Sequence, residues 1–265
     1  MKKVSCFISW LVIALTVLFL VGPLLVLGIY SFSVVWSDIL PGGFTLDYYH
    51  QVFDNALFWP SVFRGVLISI VPISLSGITV LLALYTSLLY VPAMESWIQA
   101  ICMIPHTLKG VILAISVLSL YSGKGVILGN RIFMLTMIYA IIILPFMYQG
   151  IRNNLRAVSL RQLVEAAEIL GANRLCAFFR IVVPNMMNGI LVSALIGMSI
   201  IFGDFAVVKI IAGSKFVTVQ QLLYNVRNQP GQYSSAIVLI TFIITLVISV
   251  AAFVLQNPKQ YKSED

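Results

Sequence analysis

Six long apolar runs, each nearly free of charge, divide this 265-residue chain and restrict its fold more than any other feature. They lie at roughly Phe7 to Tyr30, Gly65 to Tyr90, Ile98 to Tyr121, Ile132 to Ile151, Met186 to Ile211 and Ser234 to Leu255. A helix needs about 20 apolar residues to cross the hydrocarbon of a bilayer, and each run reaches that length. The runs are continuous rather than alternating, which suits helices that satisfy their own backbone and not barrel strands. Composition agrees, with 60% of residues hydrophobic and 9% charged, against roughly a quarter charged in a soluble domain. The predicted fold class is therefore all-α: a polytopic membrane helical bundle of six transmembrane helices. With no internal repeat and no long linker, residues 1–265 read as a single transmembrane domain.

The formal charge of +7 follows loop asymmetry rather than a nucleic-acid surface, because no basic cluster is interleaved with aromatics. Placing both termini in the cytoplasm puts Lys2, Lys3, Arg152, Arg156, Arg161, Arg174, Arg180, Lys259 and Lys262 inside. The outside then holds Arg64, Lys124, Arg131, Lys209, Lys215 and Arg227, with Lys109 left within a span. Lys2 and Lys3 precede the first run as they would in a secretory signal, but the uncharged stretch outruns a signal's apolar core and is expected to stay as the first span. Cys6, Cys102 and Cys176 show neither CxxC nor His-paired spacing, so free thiols are expected, with no metal and no cofactor.

The loop between the fourth and fifth runs, about residues 152–184, carries more pattern than a connection needs. Ser159 and Gln162 have the spacing of a capping box. Leu160, Leu163, Val164, Ala167 and Leu170 recur at helical spacing as one apolar stripe. Gly171 stands where a helix ends in a left-handed residue, and Asn173 can start a second short helix through Arg180. Two short helices with a bend between them, apolar on one face and rich in arginine, form a knob that a partner protein can grip.

Glu165, Ala166 and Ala167, then Gly171, then Ile181 and Pro184 keep every spacing of the EAA loop of ABC importer permeases, with Val183 where that pattern has Leu. The chain resembles that family throughout, most closely the subgroup serving polyamines, ferric iron, sulfate or 2-aminoethylphosphonate. The resemblance implies the type I importer permease fold in a bacterial inner membrane and an ATPase-coupling role for Glu165, Ala166, Ala167, Gly171, Ile181 and Pro184. It also implies partners: a second permease subunit, expected to be a homologue in a heterodimer, two ATP-binding subunits, and an extracytoplasmic solute-binding protein. The solute it suggests is a small charged compound such as spermidine or putrescine, with 2-aminoethylphosphonate, sulfate or ferric iron as alternatives.

Charged and titratable residues inside spans are functional candidates because lipid penalises them. Pro105, His106 and Lys109 lie about 12 to 17 Å into the third run; Pro105 removes a backbone hydrogen bond and is expected to kink the helix, while His106 and Lys109, three residues apart, share one face. Two readings stand: a border of the solute cavity, or a lysine paired with the neighbouring subunit. Asp204, about 30 Å beyond Pro184 on a continuous helix, falls near the outer face as a gate contact or a plain interfacial carboxylate. Asn153, Asn154 and Asn188 read as helix-end partners.

An intramembrane enzyme is disfavoured because HExxH, GxSxG and paired membrane aspartates are all missing. A secondary carrier would show related halves and acidic coupling residues. A self-contained ATP pump would carry GxxxxGK[ST], which this sequence lacks. No catalytic residue is expected, and ATP hydrolysis is assigned to a separate subunit.

Overall fold

The computed structural model describes residues 2–36, 41–123, 125, 127–157 and 160–256. Among them the regular structure is helical, with one isolated antiparallel bridge between Ser33 and Phe44. In chain order the helices are α1 (Lys2–Phe32), α2 (Asp47–Asp54), α3 (Phe58–Leu89), α4 (Met94–Thr107), α5 (Gly110–Tyr121), α6 (Arg131–Ala157) and α7 (Leu160–Ile169). They continue as α8 (Arg174–Ala177), a π-helical turn Phe178–Val182, α9 (Val183–Asn185), α10 (Met187–Phe202), α11 (Ala206–Ala212), α12 (Val219–Asn225) and α13 (Gly231–Gln256).

Four helices are each long and apolar enough to cross a membrane: α1, α3, α6 and α13. The other two expected spans are bent pairs. Helices α4 and α5 meet at 92°, and the segment Arg174–Asn185 meets α10 at 64°. Six spans are reached when each bent pair counts as one. The third run is broken outright, beyond the kink expected at Pro105. Helix α4 ends at Thr107, Leu108 and Lys109 are extended, and α5 starts afresh at Gly110. Pro105 cannot donate a backbone hydrogen bond inside the last turn of α4, and Lys109 instead offers its carbonyl to Ile112 and Leu113 as the new helix begins.

The chain forms two compact units. Residues 1–60 and 222–246 make the first. There Ser31 and Tyr49 share a hydroxyl hydrogen bond of 2.6 Å, Tyr49 stacks on Phe32 at 4.8 Å, and Asn55 donates to the Tyr233 hydroxyl at 3.0 Å. Together these fasten α2 to the end of α1 and to α13. Gly231 lies so close to Tyr30 that an added Cβ would come within 2.6 Å of its hydroxyl oxygen.

The second unit, residues 61–221 and 247 onward, holds the main core. Its centre is α6, which buries Leu135, Ile138, Ile143, Met147, Ile151 and Leu155 at helical spacing. Helix α6 packs against α4, α5, α10 and α11. In lipid there is little hydrophobic drive between helices, so close approach through small residues matters more. Gly150 on α6 faces Ser193 on α10, Gly189 faces Asn154, and Gly197 faces Ile143.

Candidate functional site: the hairpin between α6 and α10

Residues 160–185 build a helical hairpin outside the long spans. The turn at its tip has the hydrogen bonds of a Schellman motif: Ala172 N–H donates to the Ala167 carbonyl and Gly171 N–H to that of Glu168, both at 2.9 Å. Gly171 supplies the left-handed residue, with φ +86°, a conformation that a Cβ penalises. Asn173 then precedes α8 as its N-cap residue in an extended conformation, without a side-chain capping bond. Glu168 and Arg174 close the bend from either side, Nε to Oε1 at 2.5 Å. The carboxylate of Glu168, by hydrogen bond and charge, holds the Arg174 guanidinium above its ordinary pKa. Ser159, the first half of the expected capping box, lies outside the described residues.

The limb after the bend winds into a π turn at Phe178–Val182 just before Pro184. Pro184 has no amide to give and its ring crowds the carbonyl four residues back. The backbone responds with wider spacing, Val183 N–H reaching the Phe178 carbonyl.

Burial divides the hairpin's side chains in a way that corrects the single apolar stripe. Val164 and Ala167 on α7 join Ala177, Phe178 and Val182 in the core of the unit. Leu170 does not: it is 88% exposed, beside Ile169 at 87%. It sits at the end of α7, where the Schellman turn carries the chain off the stripe's direction. Leu175 and Phe179 are also exposed, as are Glu165, Ala166 and Arg180. Of the two alanines singled out by sequence, Ala166 faces outward and Ala167 packs within the chain. Ile181 is half-buried and Pro184 exposed. Ile169 and Leu170, adjacent and almost fully exposed at the tip, are an apolar surface of the kind that marks an interaction site.

The other three candidates lie on separate elements. His106 sits in the last turn of α4 with its ring edge-on to Phe146 at 5.8 Å, whereas Lys109 lies past the break in extended backbone. The shared face expected of them is lost with the helix that would have created it. Both are exposed within this chain. Asp204 is not on a continuous helix either, because α10 stops at Phe202. Its carboxylate accepts the amide of Val207 at 3.2 Å, at the start of α11, and it lies against the buried Tyr139. Tyr139 is eight residues along α6 from Arg131, about 12 Å of rise, so Asp204 lies beside the middle of α6 rather than its first turn.

Sequence reasoning passed over one feature. An open groove of about 530 Å³ between α6 and α10 is lined by Gln149, Asn153, Asn154, Asn188 and Ser193, with Phe146 among its apolar walls. Three of the carboxamides had been read as helix-end partners. Their recurrence at 149, 153 and 188 was the available signal, but only the pairing of α6 with α10 brings them to one side. Elsewhere on α6, Arg152 donates to Glu95 from Nε and Nη2, at 2.9 and 2.6 Å, and lies over the Tyr148 ring. Among the described residues no group of three or more His, Cys, Asp or Glu could hold a metal ion.

A family model described as the binding-protein-dependent transport system inner membrane component matches residues 76–258, which take in the hairpin and the groove. The chain belongs to this family. By this membership it is an inner-membrane permease of the ABC importer kind. The permease is 31% identical over 113 residues to the spermidine/putrescine transport system permease protein PotB of Escherichia coli (strain K12), an alignment covering 41% of this chain and 40% of that one. The chain thus spans about two-fifths of the length of that curated relative. A protein of Salmonella typhimurium named as a 2-aminoethylphosphonate transport system permease, PhnV, is 20% identical over 238 residues, 88% of each chain. Among solved structures, a chain of a bacterial ABC transporter that imports the acidic polysaccharide alginate matches with a TM-score of 0.73 at 17% identity, covering 97% of both chains. The MetNI methionine ABC transporter matches with a TM-score of 0.63 at 16% identity, over 77% of the permease and 98% of that chain. These two likenesses establish the fold.

Proposed function

We propose that this permease forms half of the translocation path of an ATP-driven importer and takes its power stroke from a separate ATPase subunit seated on the α7–α8 hairpin. The observation that carries this reading is the exposed apolar tip, Ile169 and Leu170, set beside charged residues on a turn fixed by Gly171. Glu165, Ala166 and Gly171 form the outward part of the contact, while Ala167 and Ile181 hold the hairpin's shape from within and Pro184 sets the backbone of its second limb. The hairpin and both termini then face the cytoplasm, and a binding protein delivers solute on the other side. The second permease is a homologue, giving a heterodimer.

The test is co-purification. With its ATPase co-expressed, the wild-type permease should retain that subunit through affinity purification. Ile169→Asp with Leu170→Asp should lose it while the permease itself stays membrane-inserted. Normal retention in the double variant would overturn the assignment.

For the solute, likeness to a spermidine/putrescine permease favours a polyamine. A second reading, 2-aminoethylphosphonate, is favoured by the relative that aligns along 88% of the chain. His106, Lys109 and Asp204 serve as path residues in either case, and the carboxamide groove as a neutral surface at the inner end of the path. Uptake of labelled spermidine and of labelled 2-aminoethylphosphonate by cells carrying the complete system separates the two.

A further inference from the structure

The hairpin is fastened to α3 by two separate aromatic contacts. Tyr85, one turn before the end of α3, packs edge-on against Phe178 with ring centroids 4.8 Å apart. Tyr90, immediately past the last residue of α3, receives the Arg174 guanidinium over its ring, Cζ to centroid 5.9 Å. The two tyrosines are themselves joined, hydroxyl to hydroxyl at 3.2 Å and rings at 5.7 Å. Arg174 is held in turn by Glu168 on the opposite limb of the bend. Phe178 is buried and opens the π turn, whereas Tyr90 and Arg174 are exposed.

A hairpin touching α3 at one point could pivot about it without moving the helix. Contacts at Phe178 and at Arg174, linked through adjacent tyrosines, resist rotation as well as translation. The Glu168–Arg174 pair also stiffens the bend between the docking tip and these contacts. We infer that Tyr85, Tyr90, Arg174 and Phe178 form a clamp that passes displacement of the hairpin to the end of α3, with Arg174 and Tyr90 as its positioning residues. This rests on the reading that an ATPase docks on the hairpin.

The experiment uses the permease assembled with its ATPase in lipid nanodiscs. Spin labels replace Thr86 on α3 and Trp97 on α4, both exposed, in a background without native cysteines. With the native clamp, the distance between labels should change when nucleotide is trapped with vanadate. Arg174→Met and Tyr90→Leu should each abolish that change while the ATPase remains bound and hydrolyses ATP, and solute uptake should fall about tenfold, a size typical of altered coupling. Arg174→Lys and Tyr90→Phe, which keep a cation and a ring face, should restore the movement. If either disruptive variant assembles poorly, a short bis-maleimide joining Tyr90→Cys to Arg174→Cys should preserve the movement that the same unlinked variant lacks. Persistence of the change in Arg174→Met and Tyr90→Leu, or its absence with the native clamp despite a bound ATPase, overturns the clamp. Failure of the ATPase to co-purify with the native hairpin overturns instead the functional reading beneath it.

Discussion

Gly150 shows how a single position sets the spacing of two spans. A Cβ built there would overlap the Ser193 hydroxyl, which already donates to the Gly189 carbonyl at 2.7 Å. Overpacking of a close contact costs about 1–3 kcal/mol. Gly150→Ala should therefore lower the midpoint of thermal unfolding of the detergent-purified permease, and adding Ser193→Gly should recover most of the loss. Gly171 is different in kind. No atom crowds it, and its requirement is the positive φ of the Schellman turn. The sequence pattern identified Gly171 correctly because a glycine after an apolar helical run carries its own conformational reason. Gly150 left no such trace, since only the partner helix reveals what it must avoid. His106 and Lys109 were misplaced relative to each other for a similar reason: spacing implies a shared face only while the helix continues.

At the level of elements, the two bent pairs govern what the spans present. Pro105 announces a disturbance in the third run, yet neither the 92° turn nor its position at Leu108–Lys109 could be read from one proline. The α4 side of that bend is braced by Glu95, whose carboxylate holds Arg152 near the end of α6. Glu95 is partly exposed, with 38% of its side chain accessible, so screening keeps the pair near the roughly 0.2–1 kcal/mol of exposed ion pairs. A double-mutant cycle on Glu95→Gln and Arg152→Met, read by thermal unfolding at low salt, should return a coupling energy of about that size, shrinking as salt rises. A coupling well above it would mean that lipid or the partner subunit removes the pair from water. The fifth span also ended early. The apolar run continues past Phe202 to Ile211, but Asp204 accepts the Val207 amide and α11 forms as a separate element.

For the molecule as a whole, the testable property is sidedness. Cys176 lies exposed on the hairpin, whereas Cys102 is buried. With Cys6 replaced by Ser, a membrane-impermeant maleimide should label Cys176 in inside-out vesicles and leave it unlabelled in intact spheroplasts. Labelling in spheroplasts would place the hairpin outside the cell and remove the ATPase contact with it. Membership of the permease family and the four straight spans follow directly from apolar run length and from residues that belong to one local hairpin.

Sequence alone determined that this chain must live in lipid, that its spans are helices, and that a bent hairpin with EAA spacing separates the fourth and fifth. Those properties depend on local length, hydrogen-bond supply and the φ of a single glycine, all encoded within short stretches. The carboxamide groove, the inward turn of Ala167, the exposure of Leu170 and the tyrosine–arginine clamp were decided only by tertiary structure. Each depends on which surface of one helix meets another, and within a uniformly apolar span the order of residues leaves that choice nearly unmarked.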